Sequence, residues 1–369
     1  MKRSKVVFIN LLFLIFFFLL GDLIISKYFL ELKSSTCYKF EKKYYELKKN
    51  CKATDKFKSS FPTVKIFTDK LGLRANKNSV KDKNKENILI FGDSFTFGVG
   101  IEYEDTYSGL LEKKYQNYNF YNYAVGSYSP TVHLYKLQKA IEENIIPTKV
   151  ILFLDLTDVY DEGTRWLTNN SSNKPFLSNK HIIKEDSNEM RLERGESKLI
   201  DRNFKLSKTL ASTLNYNLRI LRNKISTLRK NKEYKIKTSF QGEFTYIEKD
   251  KLKSEYWTKK IFDDGIKKIE TKVKEIAKIS KEKNFDFYLV IYPWGETLAY
   301  GQDSFSWEEF GEKLCSNDKC TLVNTFNDFT NEKEKNRFWY SNLYFIGDEH
   351  FNPSGNEFMF NILSRKIFN

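Results

Sequence analysis

Apolar residues are arranged along this chain in three different ways. The first is an unbroken block. Residues 6–25, VVFINLLFLIFFFLLGDLII, carry one charge, Asp22, near the far end. A helix of that length rises about 30 Å, enough to cross a hydrocarbon core. Lys2, Arg3 and Lys5 precede it and favour a cytoplasmic N-terminus. The bulky SKYFLELK that follows offers no small-x-small cleavage pattern, which favours an uncleaved anchor over a removed signal peptide. On either reading the rest of the chain is exported.

The second arrangement is a set of short apolar runs closed by turn residues. NILIFGDS (87–94), KVILFLDLTDV (149–159) and FDFYLVIYPW (285–294) read as buried strands. YNFYNYAVGSYSP (118–130) reads as a strand ending in a Gly/Ser loop, and TLVNTF (321–326) as a last short strand. The third arrangement has helical spacing and falls between these runs. It covers TYSGLLEKKY (106–115), TVHLYKLQKAIEEN (131–144), residues 265–284 and the C-terminal NPSGNEFMFNILSRKIFN. Ile266, Ile269, Val273, Ile276 and Ala277 share one face of the 265–284 helix. Strands alternating with helices predict an α/β domain with a mostly parallel sheet. The expected organisation is an anchor at 1–26, a polar membrane-proximal segment at 27–86 with a short hairpin at 65–76, and one α/β domain at 87–369. A polar insertion at about 163–250 interrupts that domain; it includes a basic helical stretch at 214–232.

Composition narrows the function classes. The 369 residues are 40% hydrophobic and 16% aromatic, ample for a packed core. Lys+Arg number 62 against 48 Asp+Glu, a net charge of +14. The lysines are spread along the chain and mixed with acids, with no Arg-rich stripe, so nucleic acid is not an expected partner. Four cysteines fall as Cys37 with Cys51 and Cys315 with Cys320. An exported chain permits disulfides, and neither spacing suits a metal; free buried thiols are the alternative for Cys37 and Cys51. No cofactor is expected.

Ser94 ends an apolar strand, where open α/β sheets bind ligands. Gly-Asp-Ser alone is a common turn composition, and a serine needs a base to become a nucleophile. The chain has three histidines. His181 lies in the polar insertion, and His133 sits in an amphipathic helix as a helix-face residue. His350 lies in GDEHFNPSGN (347–356), two residues after Asp348, with Asn352 and Pro353 suited to start a helix. A carboxylate can orient the imidazole and stabilise its charged form, and the order Ser, Asp, His is a known solution to that geometry.

FGDSFTFGVG (91–100) resembles the first motif block of the GDSL/SGNH hydrolases, and DEHFNPSGN resembles their last block in its Asp-x-His variant. NYAVGSYSP (122–130) is similar to their second block. The resemblance covers about 87–164 and 265–369. It implies an SGNH-hydrolase or flavodoxin-like fold, a three-layer α/β/α sandwich preceded here by one transmembrane helix. It implies Ser94 as nucleophile, His350 as base and Asp348 as its orienting carboxylate, with backbone N–H groups of Ser94 and Gly126 in the oxyanion hole. The third block departs from the pattern. Its side-chain donor is an asparagine, and here Thr157 stands in that place, with Asp155 the other candidate. An ionised aspartate cannot donate. Trp294, at the end of another strand, is a candidate substrate contact, with a core role as the alternative. The implied function is an ester hydrolase or O-acyltransferase outside the cytoplasmic membrane, acting on acylated envelope glycan or lipid. The alternative is a weak or inactive glycan-binding or scaffold protein.

Overall fold

The computed structural model describes residues 2–28, 37–55, 57, 61–169, 174–181, 238–252, 256–316 and 320–368, with scattered positions between 204 and 236. The first apolar block is helix α1 (Lys2–Tyr28), in which Val6–Ser26 is long and apolar enough to cross a membrane.

Five strands form the central sheet: β5 (Glu86–Phe91), β6 (Tyr118–Asn122), β7 (Lys149–Leu154), β10 (Asp286–Ile291) and β11 (Thr321–Asn324). Their order is β11-β10-β7-β5-β6 and every neighbouring pair is parallel. Ile88, Leu89, Ile90, Ile151, Leu152 and Leu289 are fully buried, as strands covered on both faces require. Helices α4 (Pro130–Glu142), α5 (Thr157–Thr164) and α6 (Lys259–Lys283) pack together, and α3 (Tyr107–Lys114) packs on the C-terminal helix α11 (Pro353–Ile367). The result is the expected α/β/α sandwich. From β5 the chain turns to β6 on one side and then to β7 on the other. The carboxyl ends of β5 and β7 therefore flank the point where strand order reverses, where α/β sheets open a crevice.

Two segments differ from the sequence expectation. The run read as a strand over 149–159 stops at Leu154. Asp158 Oδ2 accepts from Asp155 N at 2.8 Å and Asp155 Oδ1 from Thr157 N at 2.7 Å. Those local bonds turn the backbone into α5, which is how short acidic side chains compete with a ladder. After β10, four short helices appear that the apolar spacing does not mark: α7 (Gly295–Tyr300), α8 (Trp307–Cys315), α9 (Phe326–Lys335) and α10 (Trp339–Leu343). The basic helix expected at 214–232 falls largely outside the described residues.

Residues 37–55 and 61–75 pack on the sheet domain. β1 (Tyr38–Glu41) pairs with β2 (Tyr44–Leu47), and β3 (Lys52–Asp55) with β4 (Val64–Phe67), with a Thr68–Arg74 bridge beyond. Disulfides join Cys37 to Cys51 and Cys315 to Cys320. A second apolar cluster unites Tyr44, Tyr45, Val64 and Ile66 with Phe97, Tyr128 and Phe345. Its centre is Trp166, first residue of β8 (Trp166–Thr168), which pairs with β9 (Pro175–Leu177). The Trp166 ring meets Tyr44, Tyr45 and Tyr128, and its Nε1 donates to the Ser127 carbonyl at 2.7 Å. Trp166→Ala is expected to lower stability by about 3–5 kcal/mol, read as a fall in melting temperature with the sheet's circular dichroism retained below it.

Candidate active site

β5 ends in Gly92-Asp93-Ser94, and the turn is built to present the serine. A Cβ on Gly92 would collide with the Thr96 side chain, so only glycine fits. Asp93 caps helix α2 (Ser94–Phe97), its Oδ1 accepting from Phe95 N at 2.9 Å. Behind the turn the buried Arg74 guanidinium donates to the carbonyls of Phe97, Gly98 and Ile101. Ser94 is left half-buried at the carboxyl edge of the sheet.

The histidine arrives from the other end of the chain. Asn352 caps α11 by accepting from Gly355 N at 2.9 Å, with Pro353 in the first turn. Gly355 lies against the Leu343 carbonyl, where a side chain would clash. Asn356 Oδ1 accepts from Tyr107 N at 3.1 Å and ties α11 to α3. Just before this helix, Gly347 takes φ 78 and turns the loop, and the Tyr340 hydroxyl donates to the Asp348 carbonyl. His350 is held between the rings of Phe95 (4.8 Å between centroids) and Phe57 (5.4 Å).

His350 Nε2 lies 2.8 Å from Ser94 Oγ, and His350 Nδ1 lies 2.5 Å from Asp348 Oδ1. With its proton on Nδ1, the neutral imidazole donates to Asp348 and accepts from the serine hydroxyl. Burial disfavours the charged imidazole, but the Asp348 hydrogen bond, with the charges of Glu349 and Asp348, outweighs it and raises the pKa above 6.5. His133 is buried in the core of the α4 layer rather than merely lying on a helix face. Neither of its ring nitrogens has a hydrogen-bond partner among the described residues, and burial pushes its pKa down to about 3.

Gly126 lies beside the serine: its Cβ position would be 3.9 Å from Ser94 Cβ and 3.7 Å from the Tyr38 hydroxyl. The Tyr45 hydroxyl donates to the Gly126 carbonyl at 2.8 Å and holds that loop. Thr157, the first residue of α5, reaches the same place. Its hydroxyl donates to Asp155 Oδ1 at 2.7 Å, with Asp93 Oδ2 at 3.4 Å. Ser94, Gly126, Thr157, His350 and Asp348 are thus brought together. Trp294 is not part of the opening. It is 1% exposed, stacks on Phe95 and donates from Nε1 to Asp155 Oδ2 at 2.9 Å, so its work is in the core and not on a substrate face.

A cluster of buried acids sits directly behind the serine. Asp93 Oδ2 is 3.0 Å from Ser94 Oγ. Asp155 accepts four bonds, from the Thr157 N–H and hydroxyl, the Tyr292 hydroxyl and Trp294 Nε1. Burial, with the charge of Asp155 added, pushes Asp93 up to about 8. Burial and the charges of Asp155 and Asp93 likewise raise Asp158 well above the ordinary carboxylate range. The sequence reading passed over Asp93, although three acids at the ends of two adjacent strands were visible in it. Tyr38, Tyr45 and Phe57 had no local signal at all, because only long-range packing brings the hairpins here.

A family model described as a protein of unknown function, DUF1574, matches residues 1–300. The chain belongs to the DUF1574 family. The match takes in Ser94, Gly126 and Thr157 and ends before Asp348 and His350. No curated protein matches the chain. Among solved structures, it is similar to the acetyl xylan esterase AlAXEase, at 14% identity over 76% of this chain and 99% of that one, with TM-score 0.39. A lipolytic G-D-S-L family member from Veillonella parvula gives 10% identity over 77% and 99%, TM-score 0.42. The acetylxylan esterase Axe2 from Geobacillus stearothermophilus gives 12% over 78% and 95%, TM-score 0.37. Identities and scores this low leave the site of this DUF1574 member to be read from its own residues.

The raised Asp93 pKa has a stability consequence. The folded state binds that proton more tightly than the unfolded chain, so stability falls as pH rises between about 4 and about 8. Asn at 93 keeps the cap on Phe95 N and does not titrate. Asp93→Asn is expected to melt higher than wild type, by a margin that grows from about pH 5 to about pH 8; thermal denaturation across that range measures it, and a constant margin would contradict the protonated acid.

Proposed function

We propose that this chain is a serine-dependent ester hydrolase or O-acyltransferase of the SGNH type, anchored by α1 and working outside the cytoplasmic membrane. The observation that carries the reading is the hydrogen-bonded chain from Ser94 Oγ through His350 to Asp348 at the carboxyl edge of the sheet. Ser94 Oγ attacks the ester carbonyl carbon while its proton passes to His350 Nε2. The negative charge on the carbonyl oxygen is met by the backbone N–H groups of Ser94 and Gly126. The carbon–oxygen bond to the leaving alcohol then breaks, and His350 returns the proton to that alkoxide. An acyl-Ser94 ester remains. Water or an acceptor hydroxyl, deprotonated by His350, resolves it and restores the serine. Asp348 holds Nδ1–H throughout and stabilises the imidazolium.

The oxyanion hole rests on two backbone donors in this reading, since the Thr157 hydroxyl is occupied by Asp155. Losing a third donor costs on the order of a hundredfold or more in rate, which fits a slow esterase or a transferase more than a general lipase. The basic residues at the N-terminal end of α1 and the two disulfides support an extracytoplasmic site. Anchoring supports an acyl ester on envelope glycan or lipid as substrate.

Turnover of a short-chain nitrophenyl ester by the full chain in detergent tests the reading. Ser94→Ala is expected to abolish turnover, and Asp348→Asn to lower kcat by about 10^4-fold. If Ser94→Ala matches wild type, the chain is a binding or scaffold protein and the assignment fails. His350 must be neutral to accept the proton, so kcat/KM should fall with decreasing pH through a value above the ordinary 6.5. A wild-type acid limb below that value would contradict the Asp348 contact.

A further inference from the structure

Among the described residues, the insertion carries a row of apolar side chains left exposed. Leu206, Leu210, Leu214, Leu218, Leu221 and Ile225 are between 39 and 62% exposed, and all lie at helical positions. Their spacing of four, four, four, three and four places them on one side of a helix. The exposed Asn215 and Arg222 flank that row, and the exposed Asn217 falls within it. Monomeric surfaces rarely display such a row without a partner.

Two further observations identify what covers it. Asp22 is buried near the outer end of the apolar span and accepts from the backbone N–H groups of Leu206, at 3.0 Å, and Ser207, at 2.7 Å, and from Ser26 Oγ at 2.8 Å. The one acid of the span thus serves the start of this segment as an N-cap would, and pins that start to the level where α1 leaves the hydrocarbon. The other is charge. From Arg202 to Lys232 the sequence has nine Lys and Arg and no Asp or Glu. A row of exposed leucines in so basic a stretch, beginning at the depth of the headgroups, has the pattern of a helix lying in the plane of an anionic bilayer.

We propose that this face lies on the anionic lipid surface beside α1, fixing the height and tilt of the Ser94 crevice above the membrane. The proposal rests on α1 remaining an uncleaved anchor; it does not require Ser94 to be catalytic. The geometry then favours substrates presented within reach of the headgroups over soluble ones.

The test uses the full chain reconstituted in phosphatidylglycerol-containing and in pure phosphatidylcholine vesicles, with residues 37–369 outward. Trypsin cleavage after Arg222 is read by mass spectrometry. The expected result is cleavage slowed about tenfold in the anionic vesicles, with the protection lost in the double variant Leu214→Glu and Leu218→Glu. That variant touches neither Ser94 nor His350, so nitrophenyl ester turnover should be unchanged. Conversely, Ser94→Ala should leave the cleavage pattern unchanged, so the two readings fail separately. Equal cleavage in both vesicles overturns the proposal. Protection that follows protein concentration and ignores lipid charge also overturns it, because a second copy of the chain would then be the cover. A purified chain lacking residues 1–26 removes its basis.

Discussion

The hydrogen bond between Ser94 Oγ and His350 Nε2 joins two loops 256 positions apart, and much of the molecule is arranged to keep it short. The serine side is fixed by the carboxyl end of β5, the glycine contact at Gly92 and the Arg74 bonds beneath the turn. The histidine side is fixed by α11, whose cap, close glycine contact and bond to α3 set where residue 350 can sit. Each device is ordinary alone. Together they hold two largely buried loops within hydrogen-bond reach, the arrangement in which a base can take a proton without reorganisation.

The acids behind the serine turn this into an electrostatic problem. In the proposed reaction, a negative charge 3.0 Å from Oγ would oppose the charge that develops on attack by Ser94. Burial and the neighbouring Asp155 instead hold Asp93 protonated up to about pH 8, so it stands uncharged beside the Ser94 hydroxyl. Asp155 meanwhile gathers Thr157, Tyr292 and Trp294 around one carboxylate. The carboxyl ends of β7 and β10 are thereby tied at the edge of the crevice, and the Thr157 hydroxyl is drawn toward Asp155.

The sheet and most of its helices were legible because fully buried parallel strands are unbroken apolar runs and their covering helices keep a 3.6-residue period. Ser94, Asp348, His350 and Gly126 were legible through motif and order. What escaped was set by tertiary contact or by local side-chain bonds. Leu154 ends its strand because Asp155 and Asp158 capture backbone N–H groups, which no apolar pattern records. The helices after β10 are too short for periodicity to show. Trp294 read equally well as a pocket wall or a core residue, and only its bond to Asp155 decides. Tyr38, Tyr45 and Phe57 looked like parts of a polar spacer, yet they border the serine and histidine because a Trp166-centred cluster folds the hairpins onto the sheet.

The central claim is that His350, held by Asp348, makes Ser94 a nucleophile. Intact-protein mass spectrometry after treatment with an alkyl fluorophosphonate tests it most directly, because the adduct reports the attack itself whatever the natural acyl group. The account predicts one phosphonyl adduct per chain, mapped to Ser94 and absent from His350→Ala. An unmodified wild-type chain, or an adduct that forms equally well in His350→Ala, would contradict it.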